Sequence, residues 1–298
     1  LAQSNTARYD EGNVLSLTIL TMEEVPKKIL VNTKEELVKY IHSYGISGII
    51  LEARMALAKK TEWVDVLVSF NELEHALLFS GEVANSEIIK KRLVSVCEAP
   101  LSSVYPPLTS FTNEKQATVL LQIAPEHTHH IQELAATYEG ETSDLFSGYV
   151  KEKQLRITDF SWNHVTLWWL KQHSEDTYLQ GRFNPVTYLD QVRQLKKRYS
   201  DEVLIHFEWI KVGGVVVPSS QPVIRFTTIE RLQEIILSFE EFGIKVSNPH
   251  TYLLEEGGKD DWIDLICQAK QDNDPFDLLN PGKTNRFVRL LRAGDIHV

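Results

Sequence analysis

The sequence predicts an α+β fold, a ferredoxin-like sandwich of strands with helices on one side. Three observations predict it. Apolar, β-branched runs recur along the chain, amphipathic stretches with capping residues stand between them, and the order is mixed β, α, β. The 298 residues, 43% hydrophobic and 24% charged, suffice for a substantial core and for two domains.

From Asn13 to Leu30, the runs VLSLTIL and KKILV read as strands around the Pro turn of TMEEVP. KEELVKYIH predicts a helix over about 34–42, and YGISGIILEARMAL a glycine-punctuated turn feeding a strand. Beyond Lys60, WVDVLVSF places Val64, Val66, Val68 and Phe70 on one strand face. NELEHALLF then opens a helix, with Asn71 as its cap and Glu74 three residues on. A second strand and helix follow in ATVLLQIA and PEHTHHIQELAATY. NPVTYLDQVRQLKKRY is a third helix, with Asn184 as cap and Pro185 at its first position. EVLIHFEWIK and VVVPSSQPVIRF are strands joined by a tight Gly-Gly turn. TTIERLQEIILSFEEF opens on Thr227 and Glu230, stops at Gly243 and hands over to the short strand IKVS. No internal repeat or low-complexity tract is visible in the residues.

A formal net charge of −10 argues against a general binder of nucleic-acid backbones. Lys196, Lys197 and Arg198 fall late in a helix, where they complement its dipole or are solvated. Cys97 and Cys267 lie far apart in apolar helical patterns, so neither a disulfide framework nor a CxxC site is available, and reduced cytosolic thiols are expected. No apolar run approaches the ~20 residues of a membrane helix, and no basic-then-apolar leader opens the chain. These features predict a soluble, cytoplasmic protein with no membrane span. The first residue is Leu rather than Met, which raises the expectation of a processed or truncated product of something longer.

Three stretches could carry chemistry. In SWNHVTLWWLK, helical spacing puts His164, Trp168 and Lys171 on one face, an apolar setting that favours a neutral imidazole, although Trp and His at this spacing also suit core packing. In VLIHFEWI, alternation points His206 and Glu208 the same way, which suits an ion pair, an acid–base couple, two metal ligands or an exposed strand face. In NPHTYLLEEGG, Pro249 stiffens the chain before His250 and Tyr252, as a held site loop or a plain turn requires. Asn163 and Gln180 are weaker hydrogen-bonding candidates. His127, His129 and His130 cluster in HTHH without a second cluster at ligand spacing, so no metal site is predicted there. HExxH, GxSxG, GxGxxG and P-loop motifs are all absent from the sequence.

Together these stretches resemble the FAD-linked oxidases and dehydrogenases of the vanillyl-alcohol oxidase class, the group with glycolate oxidase flavoprotein subunits. YGISGIILEARMAL looks like that family's segment at the end of its flavin-binding domain. DPFDLLNPGK looks like its closing Asp-Pro-x-x-x-Leu-Asn-Pro-Gly-Lys. The resemblance runs from about Asn13 to Lys283. It implies a remnant of the PCMH-type FAD-binding domain over 1–60, an α+β substrate cap over 61–270 and a closing segment over 271–298 that returns to the flavin domain. It implies FAD as cofactor and a small hydroxylated substrate, such as a 2-hydroxy acid, oxidised by hydride transfer.

Tyr44, Gly45, Ser47, Gly48, Ile49, Asn280 and Lys283 would then contact the cofactor. His250 and His206 would act as base or substrate contact, with His164, Tyr252, Lys171 and Glu208 in support. Two departures stand out. HFEWIKVGG and Pro249 occupy the places of the family's metal-binding segment and of the acidic residue before its later histidine, so no bound metal is expected. The family's first portion, with its glycine-rich FAD loop, has no counterpart here, so FAD is expected to bind poorly or not at all unless a separate FAD-lobe polypeptide provides it. A rival is a catalytically silent cap that serves as a binding or subunit-assembly module. A third reading is a ferredoxin-like small-molecule sensor.

Overall fold

The computed structural model describes residues 13–143, 146–257 and 262–286. Helices mixed with antiparallel strands make the fold α+β, as the sequence predicts. The chain divides into two compact units. The larger comprises Lys60–Lys211 and Val215–Ser247; the smaller comprises the described residues of Gln3–Lys59, Val212–Gly214 and Asn248–Val298.

The smaller unit begins with β1 (Val14–Leu20), β2 (Lys28–Val31), the single-turn α1 (Lys34–Leu37) and β3 (Ile49–Met55). Its antiparallel sheet runs β2-β1-β3. Alternation along β1 buries Leu17 and Ile19, which pack with Val31, Leu37 and Tyr40. Thr33 caps α1 by accepting the Glu36 N–H at 3.3 Å. The helix expected over 34–42 is regular for one turn only; beyond Leu37 the chain runs in turns, with the Lys39 N–H bonded to the Glu36 carbonyl and those of Tyr40 and Ile41 to the Leu37 carbonyl, until left-handed His42 (φ 57°) closes it.

The larger unit starts with β4 (Val64–Phe70), α2 (Leu73–Asn85), β5 (Lys91–Cys97), β6 (Ala117–Ile123), α3 (Thr128–Thr137) and β7 (Glu141–Thr142). An insertion holds α4 (Phe146–Glu152), α5 (Asn163–Gln172) and β8 (Thr177–Tyr178). Then come β9 (Gln180–Arg182), α6 (Tyr188–Tyr199), β10 (Val203–Leu204), β11 (His206–Val212), β12 (Val215–Ser220), β13 (Val223–Ile224), α7 (Ile229–Glu241) and β14 (Lys245–Ser247). Eight of these strands form one sheet in the order β14-β9-β12-β11-β5-β6-β4-β7.

That order contains the same path twice. β4-α2-β5-β6-α3-β7 and β9-α6-β11-β12-α7-β14 are each a βαββαβ motif with its strands arranged fourth, first, third, second. The two motifs join where their second strands, β5 and β11, pair antiparallel with His206 opposite Cys97. The duplication, not visible in the residues, lies in topology alone, since a strand or helix needs only an apolar pattern and many residue choices satisfy it.

Both faces of the sheet are buried, whereas helices on one side were expected. Val66, Val68, Val94, Val96, Phe207 and Trp209 face a core shared with α2, α3, α6 and α7. Leu67, Leu93, Cys97 and Leu120 face a second core closed by the insertion and by 3-10 turns at Leu101–Val104 and Ile157–Phe160. Helix starts also shift. Asn71 accepts from Gln116 instead of capping α2. Asn184 accepts the Val186 and Thr187 N–H groups in a turn ahead of α6, and Thr228 rather than Thr227 caps α7. Gly213 and Gly214 both have positive φ (56° and 83°), as a type I′ hairpin turn between β11 and β12 requires.

The smaller unit closes with α8 (Ile263–Asn273), whose Ile263, Ile266 and Cys267 pack with Ile46 and Leu254. This packing is why the chain from Asn248 belongs with the N-terminal strands, ahead of the boundary at 270 expected from the sequence. At its end Lys270 is almost fully buried. Its ammonium bonds the Asp274 carboxylate, lies 3.0 Å from Asp277 and donates to the Leu279 carbonyl at 2.8 Å. Asp274 in turn accepts the Leu278 and Leu279 N–H groups at 2.9 and 2.8 Å. The segment DPFDLL is therefore wrapped around one cation.

Lys270→Met strands two buried carboxylates. It is expected to cost about 3–5 kcal/mol in urea unfolding, the usual penalty for breaking a buried pair from one side. A loss below about 1 kcal/mol would show that these charges do not organise the segment.

Candidate functional site

Two places in the chain gather candidate residues, one in each unit. In the smaller unit, the turn before β3 meets the closing segment. Asn280, at φ 42°, donates its amide to the Tyr44 carbonyl at 2.7 Å. Gly45 (φ +68°) leaves room for that contact, since a Cβ there would stand 2.8 Å from Asn280 Nδ2. Asn273 ties the same turn from below by donating to the Ser47 carbonyl at 2.9 Å and the Tyr40 hydroxyl at 3.0 Å. Leu254 N–H donates to the Lys283 carbonyl at 2.8 Å, and the Lys283 ammonium sits 5.6 Å from the Tyr252 ring centre. Tyr44, Gly45, Tyr252, Asn280 and Lys283 are thus drawn together from three distant stretches.

Other candidates in this turn are committed internally. The Ser47 hydroxyl donates to the Lys39 carbonyl at 2.7 Å, and a Cβ at Gly48 would meet Ile19 at 2.5 Å. They shape the turn from inside. Tyr44, Ile49, Asn280 and Lys283 keep exposed surface. His250 is also exposed, on a loop where its N–H donates to Asn248 at 3.0 Å.

In the larger unit, His206 and Glu208 do face the same way, but inward, at the seam between the two motifs. The Glu208 Oε1 atom accepts the Ser95 hydroxyl at 2.8 Å and the Trp162 N–H at 2.5 Å, and lies 3.3 Å from His206 Nε2. His206 Nδ1 is 2.9 Å from the Val96 carbonyl, which can only accept, so that nitrogen carries a proton. Burial opposes the charge on His206, yet the adjoining Cys97 and Glu208 outweigh it and hold the imidazole well above its ordinary pKa. Nearby, burial first and then Cys97 and Glu208 push the Tyr105 hydroxyl far up, so it stays neutral. Both outcomes suit a closed polar cluster, so the exposed-face alternative for His206 and Glu208 is overturned.

His164 and Lys171 lie exposed on α5. Lys171 stands over the Trp168 ring at 4.5 Å, and the ring stacked on Trp169 is His173, at 4.1 Å. Lys171 thus meets Trp168 as their shared face predicts, whereas the imidazole against an indole is that of His173 and not of His164. Asn163 accepts from Thr166 inside the first turn of the helix. Lys196 bonds Glu98 at 2.5 Å and the Ser200 and Val203 carbonyls, and Arg198 bonds Glu241, so this basic run closes the end of α6. Among the described residues, no group of three or more His, Cys, Asp or Glu could hold a metal ion, and no helix is long and apolar enough to cross a membrane.

Sequence inspection missed Ser95, Tyr105 and Trp162, the partners that surround His206 and Glu208. Ser95 meets Glu208 only through the β5–β11 register, over 113 residues of sequence, and leaves no local signal. Lys270 and Asp274, by contrast, stand at a readable i, i+4 spacing.

No family model matches the chain, and neither does any curated protein. Solved structures do share its fold. Alkyldihydroxyacetonephosphate synthase is similar in two crystal forms, with TM-scores of 0.53 and 0.54 at 13% and 14% identity, over 94% and 90% of this chain. FgChi7B is similar with a TM-score of 0.53 at 11% identity, over 89% of this chain. The chain spans 56% and 53% of the synthase chains and 64% of FgChi7B. At these identities the likeness establishes the fold.

Two measurements check the site geometry. The folded imidazole of His206 titrates above the unfolded value of about 6.5, so its stabilising contribution is complete below that pH and is lost as the pH rises through the folded pKa. Urea midpoints should therefore fall with rising pH above about 6.5, and His206→Gln should flatten that decline. Gly45→Ala should cost about 1–2 kcal/mol, because its backbone is left-handed, and should release the Asn280 side-chain amide in NMR spectra.

Proposed function

We propose that this chain is the substrate cap and closing part of an FAD-dependent oxidoreductase that oxidises a small hydroxylated compound, such as a 2-hydroxy acid. The observation that carries this reading is the bond from Asn280 to the Tyr44 carbonyl, 2.7 Å long. It joins the two motifs that resemble the FAD-linked family, YGISGIILEARMAL and DPFDLLNPGK, inside one compact unit. The fold shared with alkyldihydroxyacetonephosphate synthase supports the same class. With 53–64% of those chains spanned, the pyrophosphate-binding lobe is assigned to polypeptide outside these 298 residues.

In this proposal Tyr44, Ile49, Asn280 and Lys283 hold the cofactor, while Gly45, Ser47 and Gly48 set the turn that presents them. FAD, when bound, accepts the hydride released from the substrate carbon. His250, exposed on its stiffened loop, takes the hydroxyl proton, and Tyr252 and Lys283 orient the anionic end of the substrate. Glu208, 3.3 Å from His206, accepts the Trp162 N–H and thereby fixes the start of α5, with His164 and Lys171 on its outer surface. A fully buried His206 cannot serve as an open base. That burial also favours a second reading, a silent cap used for subunit assembly.

The isolated chain should purify colourless, and a complex with a polypeptide that supplies the FAD lobe should carry a visible flavin band. His250→Ala in that complex should keep the band and lower turnover of 2-hydroxy acids by about 10²–10⁴-fold. A yellow isolated chain would contradict the assignment of the missing lobe. A flavin complex that turns over no hydroxylated compound would support the silent cap.

A further inference from the structure

β3 is exposed along its whole length, although Ile49, Ile50, Leu51 and Met55 are large and apolar. Among the described residues its only strand partner is β1. Ile50, Ala53 and Met55 stand opposite Ile19, Leu17 and Val14, so they share the core face of the sheet. Glu52 and Arg54, opposite Thr18 and Ser16, take the other face, where the Thr18 hydroxyl donates to Glu52 at 3.3 Å. The Ala56 N–H is donated to the Asn13 carbonyl on the β1 side, so alternation turns the N–H and C=O groups of Met55 and Ala53 to the open edge. An edge of this kind is a template for a further strand.

We infer that β3 pairs with the β3 of a second copy of this chain, antiparallel about a two-fold axis, with Ala53 opposite Ala53. Charge selects both the occupant and the register. A two-fold axis normal to the sheet keeps like faces together, so a residue lies opposite itself or opposite one an even number of positions away. Of those registers, only the one centred on Ala53 sets Glu52 of each copy opposite Arg54 of the other, and it makes that match twice. Centring on Glu52 or on Arg54 opposes like charges, and centring on Leu51 sets Ile50 against Glu52. The residues IILEARM are therefore complementary to themselves in one alignment.

The backbone suits the same alignment. Ala53, whose N–H and C=O face outward, becomes the hydrogen-bonded pair on the axis. Glu52 and Arg54 then fall at non-hydrogen-bonded positions, where opposite side chains come closest. Leu51 of one copy meets Met55 of the other, and Ile50 lies toward the apolar Ala56 and Leu57. A bulge at Leu51, where β3 has one residue more than β1, ends the regular run and confines the ladder to the residues that carry the charge match. Pairing would turn a three-stranded sheet, near the lower limit for an independent element, into a six-stranded one with a continuous apolar face. The inference does not rest on the flavin reading.

The test is sedimentation of the full chain alone over a range of concentrations, with amide exchange followed in parallel. A dimer is expected, in which the Ala53 and Met55 N–H groups exchange more slowly as concentration rises. Glu52→Arg and Arg54→Glu each turn both ion pairs between the copies into like charges, and each should raise the dimer dissociation constant at least about tenfold. The double variant Glu52→Arg/Arg54→Glu restores opposite signs and should recover the dimer, a rescue that damage to the fold would not give. A chain that stays monomeric at every concentration would overturn the inference. So would a dimer that neither single reversal weakens, or a double variant as dissociated as the single ones.

Discussion

The ammonium of Lys270 is the fixed point of the smaller unit. A cation removed from water is costly unless oppositely charged and hydrogen-bonding groups close around it, and here Asp274, Asp277 and the Leu279 carbonyl do so. The requirement bends the chain back as soon as α8 ends. Asp277 and Asn280 adopt left-handed backbone (φ 53° and 42°), a conformation that non-glycine residues hold only when their surroundings impose it. Asp274 supplies part of that imposition by accepting two consecutive N–H groups. With the curve fixed, Asn280 reaches Tyr44, and the rigid composition of DPFDLLNPGK has a physical reason.

In the larger unit, the matching constraint is the seam between two βαββαβ motifs. Joining second strand to second strand sets His206 against Cys97 and Glu208 against Ser95, so polar groups meet at the centre of a sheet covered on both faces. The solution is mutual: Glu208 lies 3.3 Å from the imidazole and also accepts the Trp162 N–H, whose residue sits at φ 55° just before α5. The insertion that covers this face is thus anchored to the seam by one carboxylate. Hydrogen-bonded charge pairs in such places fix a chain segment more than they add stability.

Much of the fold was legible because strands and helices announce themselves by period. The runs at Val64–Phe70, Ala117–Ile123 and Ile229–Glu241 fall where alternation and amphipathicity place them. Caps were less legible, since Asn71 and Asn184 found partners other than the helix ends they precede. The short α1 departs from its periodicity because the chain beyond Leu37 runs in successive turns rather than continuing the helix. Of the site, the turn at Gly45 and the Asn280 segment were legible as stiff motifs. Ser95 and Tyr105 were not, because their roles arise from strand register and burial across long stretches of sequence.

The central claim is that the closing segment is a held structural element, locked by a buried cation and set against the Tyr44–Gly45 turn. Residue-resolved amide exchange at Leu278 and Leu279 tests it most directly, because both N–H groups are donated to Asp274. Protection comparable to that of the buried strand β1 is predicted, with both sites released together when Asp274 is replaced by Ala. Exchange at the rate of an unstructured chain in the intact protein would contradict the account.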